Sequence, residues 1–130
     1  MKLSVSAGYG LVTVLYIAKK GTIVLSQEIS DQCSIPIDYL LKILSQLVRA
    51  GILYSKRGPN GGFTLASPPS EISYLNIVEA IDGYGDFHIP LQKESLKELT
   101  EEIEKVCGKA LKSFQDVLRN ASLANTLNSV

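Results

Sequence analysis

The chain has 130 residues, room for one compact domain with a helical appendage but not for two full domains. With 45% hydrophobic and 20% charged residues it can bury a core, and no apolar run approaches the roughly 20 residues that span a bilayer, which excludes a helical membrane protein. The net charge is zero but unevenly laid out: residues 1–70 carry seven Lys/Arg against three Asp/Glu, and residues 71–130 six against ten, so a polyanionic partner is expected for the first half only.

The opening Met1-Lys2-Leu3-Ser4-Val5-Ser6 lacks the apolar core and cleavage site of a signal peptide, so a cytoplasmic location is expected. In that compartment Cys33 and Cys107 are expected as reduced thiols. From Ser4 to Lys20, Val5, Tyr9, Val12, Tyr16 and Ile17 recur at helical spacing, and Gly21 stands where a C-terminal cap belongs. Gly8 and Gly10 weigh against the helix, since an interior glycine costs about 1 kcal/mol relative to alanine. Thr22–Leu25 is long enough only for a small strand or extended connector. Ser26 is then expected to cap a short helix that runs to Gln32 or Cys33.

Ser34-Ile35-Pro36 breaks the chain, and Pro36 suits the first turn of a helix reaching Ala50, with Leu40, Ile43, Leu44 and Leu47 on one stripe and Gly51 as its stop. Two short helices separated by a tight break give a helix-turn-helix pattern. Next come two β-prone runs, Ile52–Ser55 and Phe63–Ala66, joined by Lys56-Arg57-Gly58-Pro59-Asn60-Gly61-Gly62. This predicts a hairpin wing with a basic, glycine-rich tip, its positive-φ positions supplied by Asn60-Gly61-Gly62.

Pro68-Pro69 closes that unit, and Ser73 caps a helix through Asp82, ended by Gly83. Residues 84–92 have no period and are expected as a loop. A long helix is predicted over Lys93–Asn120, where Leu96, Leu99, Ile103, Val106 and Ala110 alternate three and four apart before the stripe drifts to Phe114, Val117 and Leu118. About 27 residues of helix extend about 40 Å, more than the preceding domain can cover, so this stripe is expected to form a homodimer interface through Leu96, Leu99, Ile103, Val106, Ala110, Phe114 and Val117. Ser122 caps a short terminal helix carrying Leu123 and Leu127. The expected fold is mostly α with a small β-hairpin wing: a winged helix-turn-helix over 1–83, a linker loop over 84–92, and a dimerisation helix with its tail over 93–130.

Several segments resemble the Rrf-type family of bacterial winged-helix regulators, which includes the iron–sulfur biogenesis regulator IscR, the nitric oxide sensor NsrR and the cysteine-metabolism regulator CymR. The resemblance is carried by Met1–Ser4, Tyr39-Leu40, Leu47–Leu53, the wing segment Arg57–Ala66, Pro68-Pro69, Glu71–Ser73, Ile77–Gly83 and Ser122–Ala124. It implies a transcriptional regulator that binds double-stranded DNA; a homodimer formed through the long helix would place two recognition helices on one DNA face, so a palindromic operator with half-sites about one turn apart is expected, with repression as the expected outcome.

The start of the Pro36–Ala50 helix is expected in the major groove, with Pro36, Ile37, Asp38, Tyr39 and Lys42 nearest bases and phosphates. Tyr39 has an equal alternative, its ring capping the core. In the family the position of Leu41 is often a glutamate that tunes sequence choice, so the family's base code does not transfer here. Arg57, held by Gly58, Asn60 and Gly61, suits the negative potential of a narrow minor groove. Lys2, Lys56 and additionally Lys19 or Arg49 are expected on phosphates, which position without specifying.

Many relatives hold an iron–sulfur cluster on three cysteines in the loop before the long helix. Here Gly83–Glu94 contains none, so no cluster, other cofactor or metal is expected. Cys107 reads as a small core hydrophobe, with redox sensing at the dimer interface as the alternative, and Cys33 beside the break is a second redox candidate. His88, with Asp86 nearby, reads as a loop residue rather than a metal ligand, since one imidazole and one carboxylate make a weak site. An enzyme is not expected: neither cysteine has a neighbouring histidine, and the wing lacks the Lys-Ser/Thr ending of a phosphate loop. The rival readings are a winged helix that controls a partner metabolic enzyme and a thiol-based redox regulator. The basic Lys56-Arg57 pair favours DNA.

Overall fold

A computed structural model describes residues 3–130. Six α-helices and one hairpin follow each other in the order α1 (Val5–Lys20), α2 (Ser26–Cys33), α3 (Ile37–Arg49), β1 (Leu53–Lys56), β2 (Gly62–Leu65), α4 (Tyr74–Asp82), α5 (Lys97–Arg119) and α6 (Leu123–Ser129). This is a winged helix-turn-helix with a long C-terminal helix. Lys2 lies outside the described residues.

The glycines of α1 do not break it. Ser4 caps the helix by accepting a hydrogen bond from the Ala7 amide, and Gly21 ends it at φ 68°. Gly10 is a packing position: a Cβ there would lie 3.1 Å from Cγ1 of Ile81, so its absence lets α4 cross close against α1. Ser26 is not the cap of α2. Leu25 takes that place, its carbonyl accepting from the Ile29 amide, and its apolar side chain adds no capping bond. Between α2 and α3, Ser34 adopts a left-handed conformation at φ 56°, and the Ser30 hydroxyl donates to the Ile35 carbonyl at 2.6 Å. That tight break directs α3 across the domain. Pro36 stands just before α3 as its cap, one residue earlier than the helix itself.

The core gathers Val14 and Ile17 of α1, Ile29, Ile35, the α3 stripe Leu40, Ile43, Leu44 and Leu47, then Ile52, Leu53, Ile72, Ile77 and Leu123. Burial of an aliphatic side chain of this kind contributes about 1.5–3 kcal/mol. Leu123 ties α6 back to this core. Ser73 and Ser122 form an isolated bridge, each capping its own helix through a reciprocal capping box with Asn76 and Asn125.

The long helix is shorter than its periodicity suggests. Lys93 is extended, Glu94–Leu96 form a single 3-10 turn, and α5 proper begins at Lys97. None of the 23 residues of α5 is buried. Its inner side faces α4 and the preceding loop: Leu111, Phe114 and Gln115 share a cleft with Leu75, Val78 and Tyr84, and Gln115 Nε2 donates to the Gly85 carbonyl at 2.9 Å. Phe114, expected on the dimer stripe, therefore belongs to this inner side, being one position beyond the three-and-four alternation. Leu96, Leu99, Ile103, Val106 and Val117 stay exposed on the outer side, and Ala110 is exposed with them.

Candidate nucleic-acid interface

The second helix of the helix-turn-helix buries one face and leaves the other free. With Leu40, Ile43, Leu44 and Leu47 committed to the core, Asp38, Leu41, Lys42, Ser45 and Arg49 form the exposed stripe of α3, with Leu41 and Lys42 side by side and steps of three or four residues otherwise. Lys42 lies on this stripe as expected. Ile37 is half-buried against the core, and Pro36 is exposed at the turn. Asp38 in the first turn favours the helix start through the macrodipole but repels phosphate, so its suitable partner is a base-edge donor such as a cytosine amine. Leu41 offers an apolar contact of the kind that reads a thymine methyl. Ser45 and Leu41 were absent from the expected contact set, although the same helical spacing that buries Leu40 and Leu44 places them outward.

Tyr39 is anchored to its own protein. Its hydroxyl hydrogen-bonds the Ser6 hydroxyl of α1, and its ring meets Tyr9 edge-on with centroids 5.5 Å apart. Tyr39 stays exposed while its hydroxyl and ring join the start of α3 to the first turns of α1.

The hairpin pairs Leu53 with Leu65, Tyr54 with Thr64, Ser55 with Phe63 and Lys56 with Gly62. Its tip closes through a Gly61 amide to Gly58 carbonyl bond of 2.9 Å, with Pro59 at the turn position that suits its fixed φ. Positive φ falls at Gly58 (105°) and Gly62 (145°), whereas Asn60 and Gly61, expected to supply it, do not adopt it. Gly61 is buried, and a Cβ there would lie 2.2 Å from the Lys56 carbonyl. Its lack of a side chain admits the turn. Lys56, Arg57, Gly58, Pro59 and Asn60 are all exposed, and neither cation has an ion-pair partner among the described residues.

The wing is tethered from behind. Val24, in the connector between α1 and α2, exchanges two backbone hydrogen bonds of 2.9 Å with Phe63, adding a one-residue third strand. Beside it, Tyr16 donates to Glu28 Oε2 at 2.5 Å and Lys20 Nζ lies 3.4 Å from the same oxygen, joining α1 to α2. Donation from Tyr16 holds the Glu28 carboxyl below the usual carboxylate range, and the same bond pushes the Tyr16 phenol up to about 12. Lys19 and Arg49 are exposed near the ends of their helices.

The two thiols lie on different elements, both free and both half-buried. Burial pushes the Cys33 thiol up, which disfavours the reactive thiolate. Cys107 lines a cavity of about 340 Å³ with Gly85, Asp86, Phe87, Ala110 and Leu111, beneath the loop that precedes α5.

The Rrf2 family, described as "Iron-dependent Transcriptional regulator", matches residues 3–129 of the chain. Among curated relatives, a protein of Aquifex aeolicus provisionally named an HTH-type transcriptional regulator is 35% identical over 80 residues, covering 61% of this chain and 56% of its own length. The chain thus spans little more than half of that relative. BadM of Rhodopseudomonas palustris, provisionally named in the same way, is 29% identical over 135 residues, covering all of this chain and 83% of its own. Among solved structures, CymR of B. subtilis, titled the global cysteine regulator, superposes with a TM-score of 0.82 at 23% identity, over 100% of this chain and 98% of that one.

The iron of the family description finds no donor set here. Among the described residues no group of three or more His, Cys, Asp or Glu side chains could hold a metal ion. Asp86 and His88 approach at 3.4 Å, but both are largely exposed and no third donor joins them. The described residues of one chain therefore do not assemble the donors of a metal centre or a thiolate-held cluster. With the winged fold and the family match along nearly its whole length, the chain belongs to the Rrf2 family of transcriptional regulators.

Proposed function

We propose that the protein is a sequence-specific DNA-binding regulator that acts as a homodimer on a palindromic operator, represses by occupying it, and works without an iron–sulfur cluster. The observation that carries this reading is that a basic wing tip, Lys56-Arg57, and the outer stripe of α3 are both left exposed by the same helix-turn-helix unit. The Val24–Phe63 bridge supports it further, because it fixes the hairpin relative to the helix-turn-helix. Groove-directed arginine and helix then approach a duplex as one rigid unit. Lys42 and Lys56, with Lys2 at the start of the chain, are assigned to phosphates, and Arg57 to the minor groove.

The homodimer is supported by the uncovered outer side of α5, an apolar stripe opposite the inner side that packs on α4. Two wings related by a two-fold axis demand a site with the same symmetry, with half-sites about one helical turn apart. Selection of bound fragments from random duplex DNA by the purified protein tests the reading. A palindrome bound with an affinity that falls steeply with salt is expected. Recovery of no sequence preference, or of a single asymmetric half-site, overturns it.

A further inference from the structure

One cavity of the molecule gathers negative charge. It has a volume of about 390 Å³ and opens where α3 ends, the wing begins and α4 gives way to the loop toward α5. Ala50, the C-terminal cap of α3, stands on its wall, so the negative end of that helix's dipole lies beside it. Two carboxylates line the same space: Glu71, in the 3-10 turn Pro69–Glu71 ahead of α4, and Glu79, in the body of α4. Tyr84, almost fully exposed, adds an aromatic face from the start of the loop. No lysine, arginine or histidine lines the cavity, and neither glutamate has an ion-pair partner among the described residues.

We infer that this cavity binds a small organic cation with an alkyl body and two ammonium groups, the chemistry of an aliphatic diamine. Each ammonium has a carboxylate to donate to, and the Tyr84 ring attracts a cation through its negative face. Ile52 and Ala80 offer apolar wall for the methylenes. The volume falls in the usual range of small-molecule sites, roughly 300–1,000 Å³.

A metal ion is the poorer occupant. Ca²⁺ and Mg²⁺ take about six or more oxygen ligands. Among the described residues no group of three or more His, Cys, Asp or Glu side chains could hold one. A diamine needs only two charged contacts, and it gains from the ring and the apolar wall, which a hydrated ion does not use. None of the lining residues belongs to the wing tip or to the outer stripe of α3. The site therefore goes beyond the DNA reading, which a negative result here leaves standing.

Isothermal titration calorimetry of the full-length protein, without DNA, tests this with 1,4-diaminobutane as the probe. Saturable binding of one molecule per chain is expected, and n-butylamine, which carries a single ammonium, should bind about tenfold more weakly. Glu71→Gln and Glu79→Gln should each weaken the diamine about tenfold, and Tyr84→Ala about threefold. Glu102→Gln removes an exposed carboxylate of α5 that lies outside the cavity, and should leave the affinity as it is. Absence of saturable binding overturns the site, as does wild-type affinity in both Glu71→Gln and Glu79→Gln. An equal loss in Glu102→Gln, or displacement of the diamine by equimolar Mg²⁺, overturns it too, because either result shows attraction to acidic surface in general. Circular dichroism of each variant checks the fold, and the comparison with n-butylamine tests the paired carboxylates on the unaltered protein.

Discussion

Val24 and Phe63 exchange both of their backbone hydrogen bonds, 2.9 Å in each direction, and so bind the wing to the connector ahead of the helix-turn-helix. The exchange depends on Gly62. Its φ of 145° is poorly accessible to other residues, and a Cβ there would lie 2.6 Å from the Val24 carbonyl. Gly62→Ala is therefore expected to destabilise the protein by about 1–3 kcal/mol and to lower DNA affinity together with it. Thermal unfolding and a binding titration check the pair of effects. An alanine variant with unaltered melting would show that the tether is dispensable.

Arg57 makes no contact that the fold needs, so its removal separates binding from folding. Arg57→Ala is expected to weaken operator binding by about 1–3 kcal/mol at fixed salt with no change in melting temperature. Lys42→Ala, a phosphate contact, should lower affinity for all sequences alike and reduce the slope of affinity against salt by about one. Titrations at several ionic strengths distinguish the two signatures.

Tyr39 and Ser6 join α3 to α1 through their hydroxyls. Tyr39→Phe keeps the ring on Tyr9 and loses only that bond, so a cost of about 0.5–1.5 kcal/mol in stability is expected. Ser6→Ala should cost about the same, and the double variant no more than either single one, as a shared interaction requires. Additive losses in denaturant titrations would mean that the two hydroxyls act separately.

The Tyr16–Glu28 bond makes stability depend on pH at both extremes. Glu28 titrates below its ordinary 4.5 in the folded chain, so its contribution is present above that value and is lost as pH falls through the lower folded one. Tyr16 is raised from 10.0 to about 12, so its contribution is present below 10.0 and is lost between there and about 12. Tyr16→Phe removes the donor that lowers Glu28 and should return that carboxyl toward its ordinary value, while also abolishing the alkaline loss. Carboxyl titration followed by NMR reads the first effect. A Glu28 midpoint unmoved by the substitution would assign its depression to Lys20 instead.

The helices were legible wherever one face had to be apolar. The Leu40–Leu47 stripe, the Ser73 and Ser122 caps and the turn chemistry of residues 56–62 each placed an element within a residue or two of where it lies. Relationships between distant segments were not legible. Nothing in the local pattern of Thr22–Leu25 says that Val24 pairs with Phe63, because a one-residue bridge leaves no periodicity. The positive-φ assignment in the wing holds at Gly62 but not at Asn60 or Gly61, and it misses Gly58, for a related reason. Composition shows that a tight turn exists, but which residue takes positive φ is decided by where Pro59 fixes the backbone. Phe114 joined the dimer stripe through the drift of a straight helix, and in the structure that drift carries it into the cleft against α4.

Leu123 is fully buried, and the bridge between Ser73 and Ser122 brings it to the core from the far side of α5. During synthesis this means that the amino-terminal lobe emerges with a hole in it: Ile72 and its neighbours wait for a side chain some fifty positions downstream. A ribosome-tethered fragment containing all of the helix-turn-helix and wing would therefore remain loosely packed. Competence for DNA is expected to arrive late, only after α5 has been made and α6 has folded back.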